Sequence, residues 1–178
     1  MTNYRRAFLP GGSFFFTVNL ADRRRSLLTD HIDLLRGAFR YVRQRHPFSI
    51  DAMVVLPDHL HAVWTLPAGD ADFATRWYLI KSSFSRGVPG GEARSASRRR
   101  KGERGIWQRR YWEHAIQDAL DYARHVDYIH YNPVKHGYVA AVRDWPYSSF
   151  HRFVRCGELP EDWGGRVATP VGLFGERE

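Results

Sequence analysis

An α+β fold of the ferredoxin-like kind is what this sequence predicts: an antiparallel sheet built in the order strand, helix, strand, strand, helix, strand, with one further helix after the last strand. Three observations carry that expectation. Segments rich in aromatic and β-branched residues alternate with segments whose apolar residues recur every three or four positions. Two adjacent strand-like segments are separated only by Pro57-Asp58, a tight-turn pair that leaves no room for a crossover and so makes them antiparallel neighbours. Glycine, proline and aspartate punctuate the other boundaries.

The elements follow in order. Gly11-Gly12 precedes the first strand, Ser13 to Leu20, with its FFFTVNL core. Asp30 is placed to cap a helix running to about Arg45, in which Ile32, Leu35, Phe39 and Val42 form one apolar face. Phe48 to Leu56 is the second strand. His59 to Leu66 is the third, with His59, His61 and Val63 alternating with Leu60, Ala62 and Trp64. Asp70 or Asp72 then caps a helix carrying Phe73, Trp77, Ile80 and Phe84 on one side and ending near Gly87. The stretch 88–105, VPGGEARSASRRRKGERG, has almost no apolar content and reads as an exposed, flexible basic loop. Trp107 to Ile116 is the fourth strand. Gln117-Asp118 opens a last helix to about Tyr131, closed by Asn132-Pro133. From about residue 140 the chain has turn residues and aromatics without periodicity, an irregular packed tail. With no repeats and no linker, one domain over 1–178 is expected.

Composition narrows the function. The chain is 43% hydrophobic, with six Trp, nine Tyr and eleven Phe, which excludes a disordered protein. The single Cys156 excludes a disulfide framework and a cysteine-rich zinc site. No apolar run approaches the roughly 18 residues of a membrane span and no secretory leader is visible, so a cytoplasmic protein is expected. The net charge of +8 calls for a polyanionic partner, and nucleic acid is the default. With three lysines among 27 cations, arginine dominates, which suits bidentate phosphate contact, although a GC-rich genome gives the same bias. Arg94, Arg98, Arg99, Arg100, Lys101 and Arg104 form either a phosphate grip or a solvated linker.

Two constellations carry chemistry. His59 and His61 share one face of the third strand, about 7 Å apart at the root, close enough to hold one metal ion, or else structural. On the last helix, Ala119, Tyr122, Ala123, Val126 and Ile129 fall on one side, expected to face the sheet. Asp121, His125, Tyr128 and Asn132 fall together on the other. Such a stripe is either a solvated face or a site in which the Tyr128 phenol is a nucleophile and the Asn132 oxygen a ligand.

YRR near the start, FFFTVNL, LPDHLHAVWTLP, IWQRRYWEHAI, DYIHYNPVKHGYV and DWPYSSF together closely resemble the REP-associated tyrosine transposases, relatives of the single-tyrosine HUH transposases. The likeness runs from Tyr4 to about Phe150. It implies a ferredoxin-like nuclease acting on the single-stranded hairpins of repetitive extragenic palindromes through a 5′-phosphotyrosine. His59 and His61 match the HUH pair and Tyr128 the nucleophile. Asn132 stands where related transposases carry a glutamine ligand. Tyr4, Arg5, Arg6, Arg98, Arg99, Arg100, Arg109 and Arg110 are the expected DNA contacts. The resemblance favours Mg2+ or Mn2+ over the zinc that imidazoles alone suggest. A monomer is expected, with neither a membrane nor a small-molecule substrate. Two rivals stand beside this reading: a ferredoxin-like module that stacks single-stranded bases without cutting, and a metal-dependent hydrolase with a water nucleophile.

Overall fold

The computed structural model describes residues 8–164. Its sheet has four strands, β1 (Ser13–Asn19), β2 (Ser49–Val55), β3 (His59–Thr65) and β4 (Trp112–Ala115), in the order β2-β3-β1-β4 with every neighbouring pair antiparallel. That is the ferredoxin-like arrangement expected from the element order. The helices are α1 (Leu27–Asp30), α2 (Ile32–Arg45), α3 (Phe73–Gly87), α4 (Ala96–Arg100), α5 (Ala119–Lys135) and α6 (Phe150–Arg155). None of the helices among the described residues is long and apolar enough to cross a membrane.

Strand periodicity sorts the core into two layers. Phe14, Phe16 and Val18 of β1 join Leu60, Ala62 and Trp64 of β3 on one face, covered by Leu35, Phe39 and Val42 of α2 and by Phe73, Trp77, Ile80 and Phe84 of α3. Trp64 and Trp77 stack at its centre with ring centroids 4.2 Å apart. Phe15, Ala52, Val54 and Val63 point to the other face and meet Val126, Tyr128 and Ile129 of α5. Both faces of the sheet are therefore covered, and this is why FFFTVN is buried without interruption rather than in alternation. The DWPYSSF segment closes the outer edge of β2: Val55 N–H donates to Tyr147 O (2.9 Å) and Ser149 N–H to Met53 O (2.8 Å).

Several boundaries differ from the sequence reading. Asp30 does not cap α2; it ends the short α1, where its carboxylate accepts from Ser26 Oγ (2.6 Å). Asp72, not Asp70, caps α3, accepting from Thr75 N–H (2.9 Å), because Asp70 is held by Arg76. The fourth strand is shorter than Trp107–Ile116: Trp107 makes only an isolated bridge to Leu20. Helix α5 does not close at Asn132-Pro133 but runs through the proline to Lys135. It ends instead at Gly137, φ +72°, where Gly137 N–H donates to Val134 O and Tyr138 N–H to Pro133 O, the paired bonds of a glycine-terminated helix. The tail read as irregular contains α6.

The stretch 88–105, read as a loop without structure, holds α4 and an internal lock. Arg104 grips both oxygens of Glu92 (2.5 and 2.8 Å) and donates to the carbonyls of Ser85, Val88 and Pro89. The hydrogen bonds from Arg104 outweigh burial and hold the Glu92 carboxyl down at about 2, against an ordinary 4.5. The unfolded chain thus takes up this proton first as pH falls, so the stability from the pair is complete above about pH 4.5 and lost towards about pH 2. Glu92→Gln should flatten that part of an acid-unfolding curve followed by circular dichroism. Arg104→Ala, which strands the carboxylate, should cost about 2 kcal/mol at neutral pH. An unchanged acid limb in Glu92→Gln would show that the pair contributes nothing.

Candidate active site

The two histidines come together because β3 pairs with β1 in a register that sets His61 opposite Thr17 and His59 opposite Asn19. Both imidazoles lie on the α5 side of the sheet and are buried, at 1% and 0% exposure, with ring centroids 5.0 Å apart. Each is oriented through Nδ1: His61 Nδ1 lies 2.9 Å from Thr17 Oγ1 and His59 Nδ1 lies 2.7 Å from Asp58 Oδ1. This is how metal-ligating histidines are held, one ring nitrogen anchored so that Nε2 is the ligand. Asp58 is gripped in turn by Arg23 Nε. Burial pushes the Asp58 carboxyl up, but the hydrogen bonds and charges of His59 and Arg23 prevail and bring it to about 2. The pair of imidazoles backed by a carboxylate fits a divalent cation.

Helix α5 lays its polar stripe on these histidines. The expectation that Ala119 and Ala123 face the sheet, with Tyr128 opposite, is overturned: those alanines are exposed, whereas His125 (3%), Tyr128 (2%) and Asn132 (0%) are buried. Val126 and Ile129 are buried as expected, so the contact face is rotated toward the polar stripe. The reason is what lies beneath. The sheet under α5 presents Phe15, Thr17, His59 and His61, partners for polar and aromatic side chains as much as for aliphatic ones. The Tyr128 ring stands 5.2 Å from that of His61 and 6.1 Å from that of Phe15. Asn132, one turn on, is buried with it.

Two residues that sequence reasoning missed come from the last turn of the same helix. Lys135 Nζ donates to the Tyr128 hydroxyl at 3.1 Å, and the His136 ring lies 5.2 Å from that of His59. Both were hidden by treating Pro133 as the end of the helix. Seven and eight residues after Tyr128, they lie about two turns along α5.

The cationic residues divide. Arg98 donates to the carbonyls of Arg104 and Trp107, and Arg109 pairs with Glu103 (2.8 Å) and Ser97. Arg99, Arg100 and Arg110 are exposed. Tyr4, Arg5 and Arg6 lie outside the described residues.

No protein-family model matches the chain. It is 50% identical over 167 residues to the REP-associated tyrosine transposase of Escherichia coli K12, spanning 94% of this chain and 93% of that protein. A Haemophilus influenzae protein named provisionally for the same family is 51% identical over 167 residues, covering 93% of this chain and 94% of its own. A solved structure of a REP-associated tyrosine transposase bound to a REP hairpin superposes with a TM-score of 0.85 at 48% identity, covering 100% of this chain and 99% of that one.

Proposed function

The chain belongs to the REP-associated tyrosine transposases, and from that membership we propose that it is a single-stranded DNA endonuclease and strand transferase that cuts REP hairpins with Tyr128 as its nucleophile. The observation that carries the reading is the burial of Tyr128 beside His61, with the Lys135 ammonium on its hydroxyl. A phenol buried there, with a cation on its oxygen, supports a chemical role over a surface one.

His59, His61 and Asn132 would hold the cation, Mg2+ or Mn2+, with Asp58 and Thr17 fixing the two rings. Bound there, it would draw charge from the scissile phosphate and make phosphorus open to attack. Tyr128 Oη attacks in line: the O–P bond forms as the P–O3′ bond breaks, the phenolic proton departs, and the 3′ oxygen takes up a proton. The products are a 5′-phosphotyrosine and a free 3′-hydroxyl, which keep the strand competent for rejoining. A phenol has an ordinary pKa near 10, so its oxygen needs help in losing the proton. The Lys135 ammonium supplies charge stabilisation at that atom. Arg99, Arg100 and Arg110 would meet DNA phosphates. Arg98 and Arg109 would act mainly by keeping α4 and its loop in shape, and Tyr4, Arg5 and Arg6 would extend the contact.

A REP hairpin with unpaired flanks should bind with a steep salt dependence, falling roughly 50- to 300-fold between 50 and 200 mM salt if four to six phosphates are neutralised. A perfect duplex of the same sequence should bind more weakly, and labelled hairpin should be cut once Mn2+ is added. Fluorescence anisotropy and a sequencing gel read both. Equal affinity for hairpin and duplex across the series would argue against hairpin recognition, and tight binding without cutting in any metal would leave a binding module.

A further inference from the structure

Among the described residues, the one group of three His, Cys, Asp or Glu side chains placed to share a metal ion is not the buried histidine pair but His114, Asp121 and His125, whose ligand atoms all lie within 4.8 Å of one another. We propose that these three form a second metal site, for a borderline transition-metal ion such as Zn2+, which clasps the first turns of α5 to the edge strand β4. The two imidazoles come from different elements and converge on one carboxylate: His114 Nε2 is 2.8 Å from Asp121 Oδ2, and His125 Nδ1 is 3.1 Å from Oδ1. Their rings lie 4.8 Å apart and 19° from parallel, with Trp112 flanking His114 and Phe15 flanking His125.

The carboxylate alone could be explained as part of the helix start, since Asp121 also accepts from Gln117 N–H (2.9 Å). Beyond that role, imidazoles from two elements reach the same residue, with His125 Nδ1 also 2.8 Å from the Asp121 carbonyl. Two imidazoliums stacked face to face would repel each other, whereas as metal ligands the two rings and the carboxylate complete a two-histidine, one-carboxylate set. Two imidazole nitrogens and one carboxylate oxygen suit Zn2+ and disfavour Mg2+, which demands an oxygen shell. Ligands around zinc stand roughly 3.3 Å apart, so the ion would enter by opening the present 2.8 Å contact. His114 and Asp121 are both partly exposed and give it a path.

Zinc uptake at this cluster is independent of whether the hairpin is cut. In a His59→Ala/His61→Ala background, which removes the other nitrogen pair, calorimetry should find one Zn2+ per chain and no heat with Mg2+. Adding His114→Gln and Asp121→Asn should weaken zinc binding by more than about tenfold. Because those changes also loosen α5, the wild-type protein supplies a second measurement. On adding Zn2+, the 15N signals of the His114 and His125 rings should shift while that of His151, hydrogen-bonded to Trp145 O elsewhere, stays. No zinc uptake in the background protein, uptake unchanged by His114→Gln, or unmoved His114 and His125 signals would each overturn the site and leave a hydrogen-bonded tether.

Discussion

Tyr128→Phe should abolish strand cleavage, a loss of at least about a thousandfold, while hairpin affinity changes by no more than about twofold. The substitution removes one oxygen and almost no volume. The ring keeps its contacts with Phe15 and His61, and what disappears is the hydroxyl held by Lys135. The hydrogen bond to Lys135 contributes about 1 kcal/mol, too little to unfold the chain. Wild type should form a protein–DNA adduct that survives denaturation, and peptide mapping should place it on Tyr128. Tyr122 and Tyr131 are the controls on the same helix, both only half-buried. Burial raises the Tyr122 pKa, which makes that phenol a poorer nucleophile at neutral pH. Cleavage by Tyr128→Phe at near wild-type rate, or an adduct on another tyrosine, would sink the assignment and promote a water nucleophile.

The fold was legible wherever burial and period agreed. Strands β1, β2 and β3 are bracketed by Gly11-Gly12, Pro57-Asp58 and Pro67, and each carries enough β-branched or aromatic residues to fix its nature. Helix α5 is where burial and period part. Its polar stripe was read as either a solvated face or a site and was set opposite the sheet because apolar residues usually take the buried side, yet His125, Tyr128 and Asn132 are buried against the sheet. The reading of Pro133 as a stop failed for a different reason. A proline removes one helix hydrogen bond and crowds the carbonyl four residues back, which can kink a helix without ending it, and the terminating signal lay further on in Gly137, at positive φ. Arg23 was invisible because nothing local ties it to His59; only the fold carries it 35 residues across to Asp58. In 88–105 composition spoke for a loop, and the lock between Glu92 and Arg104 is a contact that composition cannot encode.

His61→Ala should also abolish cleavage and leave hairpin binding largely intact, and a chelator should reproduce the loss in wild type. Under the proposed mechanism the two effects belong together, because the ring between Thr17 and Tyr128 would hold a cation where the phosphate and the phenol meet. His61 is fully buried, so its truncation opens a cavity and should cost about 2–3 kcal/mol. Circular dichroism and a thermal melt must therefore show the variant folded before its inactivity counts. Thr17→Val separates support from ligation. It keeps the shape beside the ring but removes the partner of Nδ1, and should raise the Mn2+ concentration needed for half-maximal cutting by about 10-fold, with the rate at saturating Mn2+ nearly restored. A purely structural histidine would instead give a stability loss that no concentration of Mn2+ corrects. Undiminished cutting by His61→Ala in metal-depleted buffer would remove the pair from the chemistry altogether.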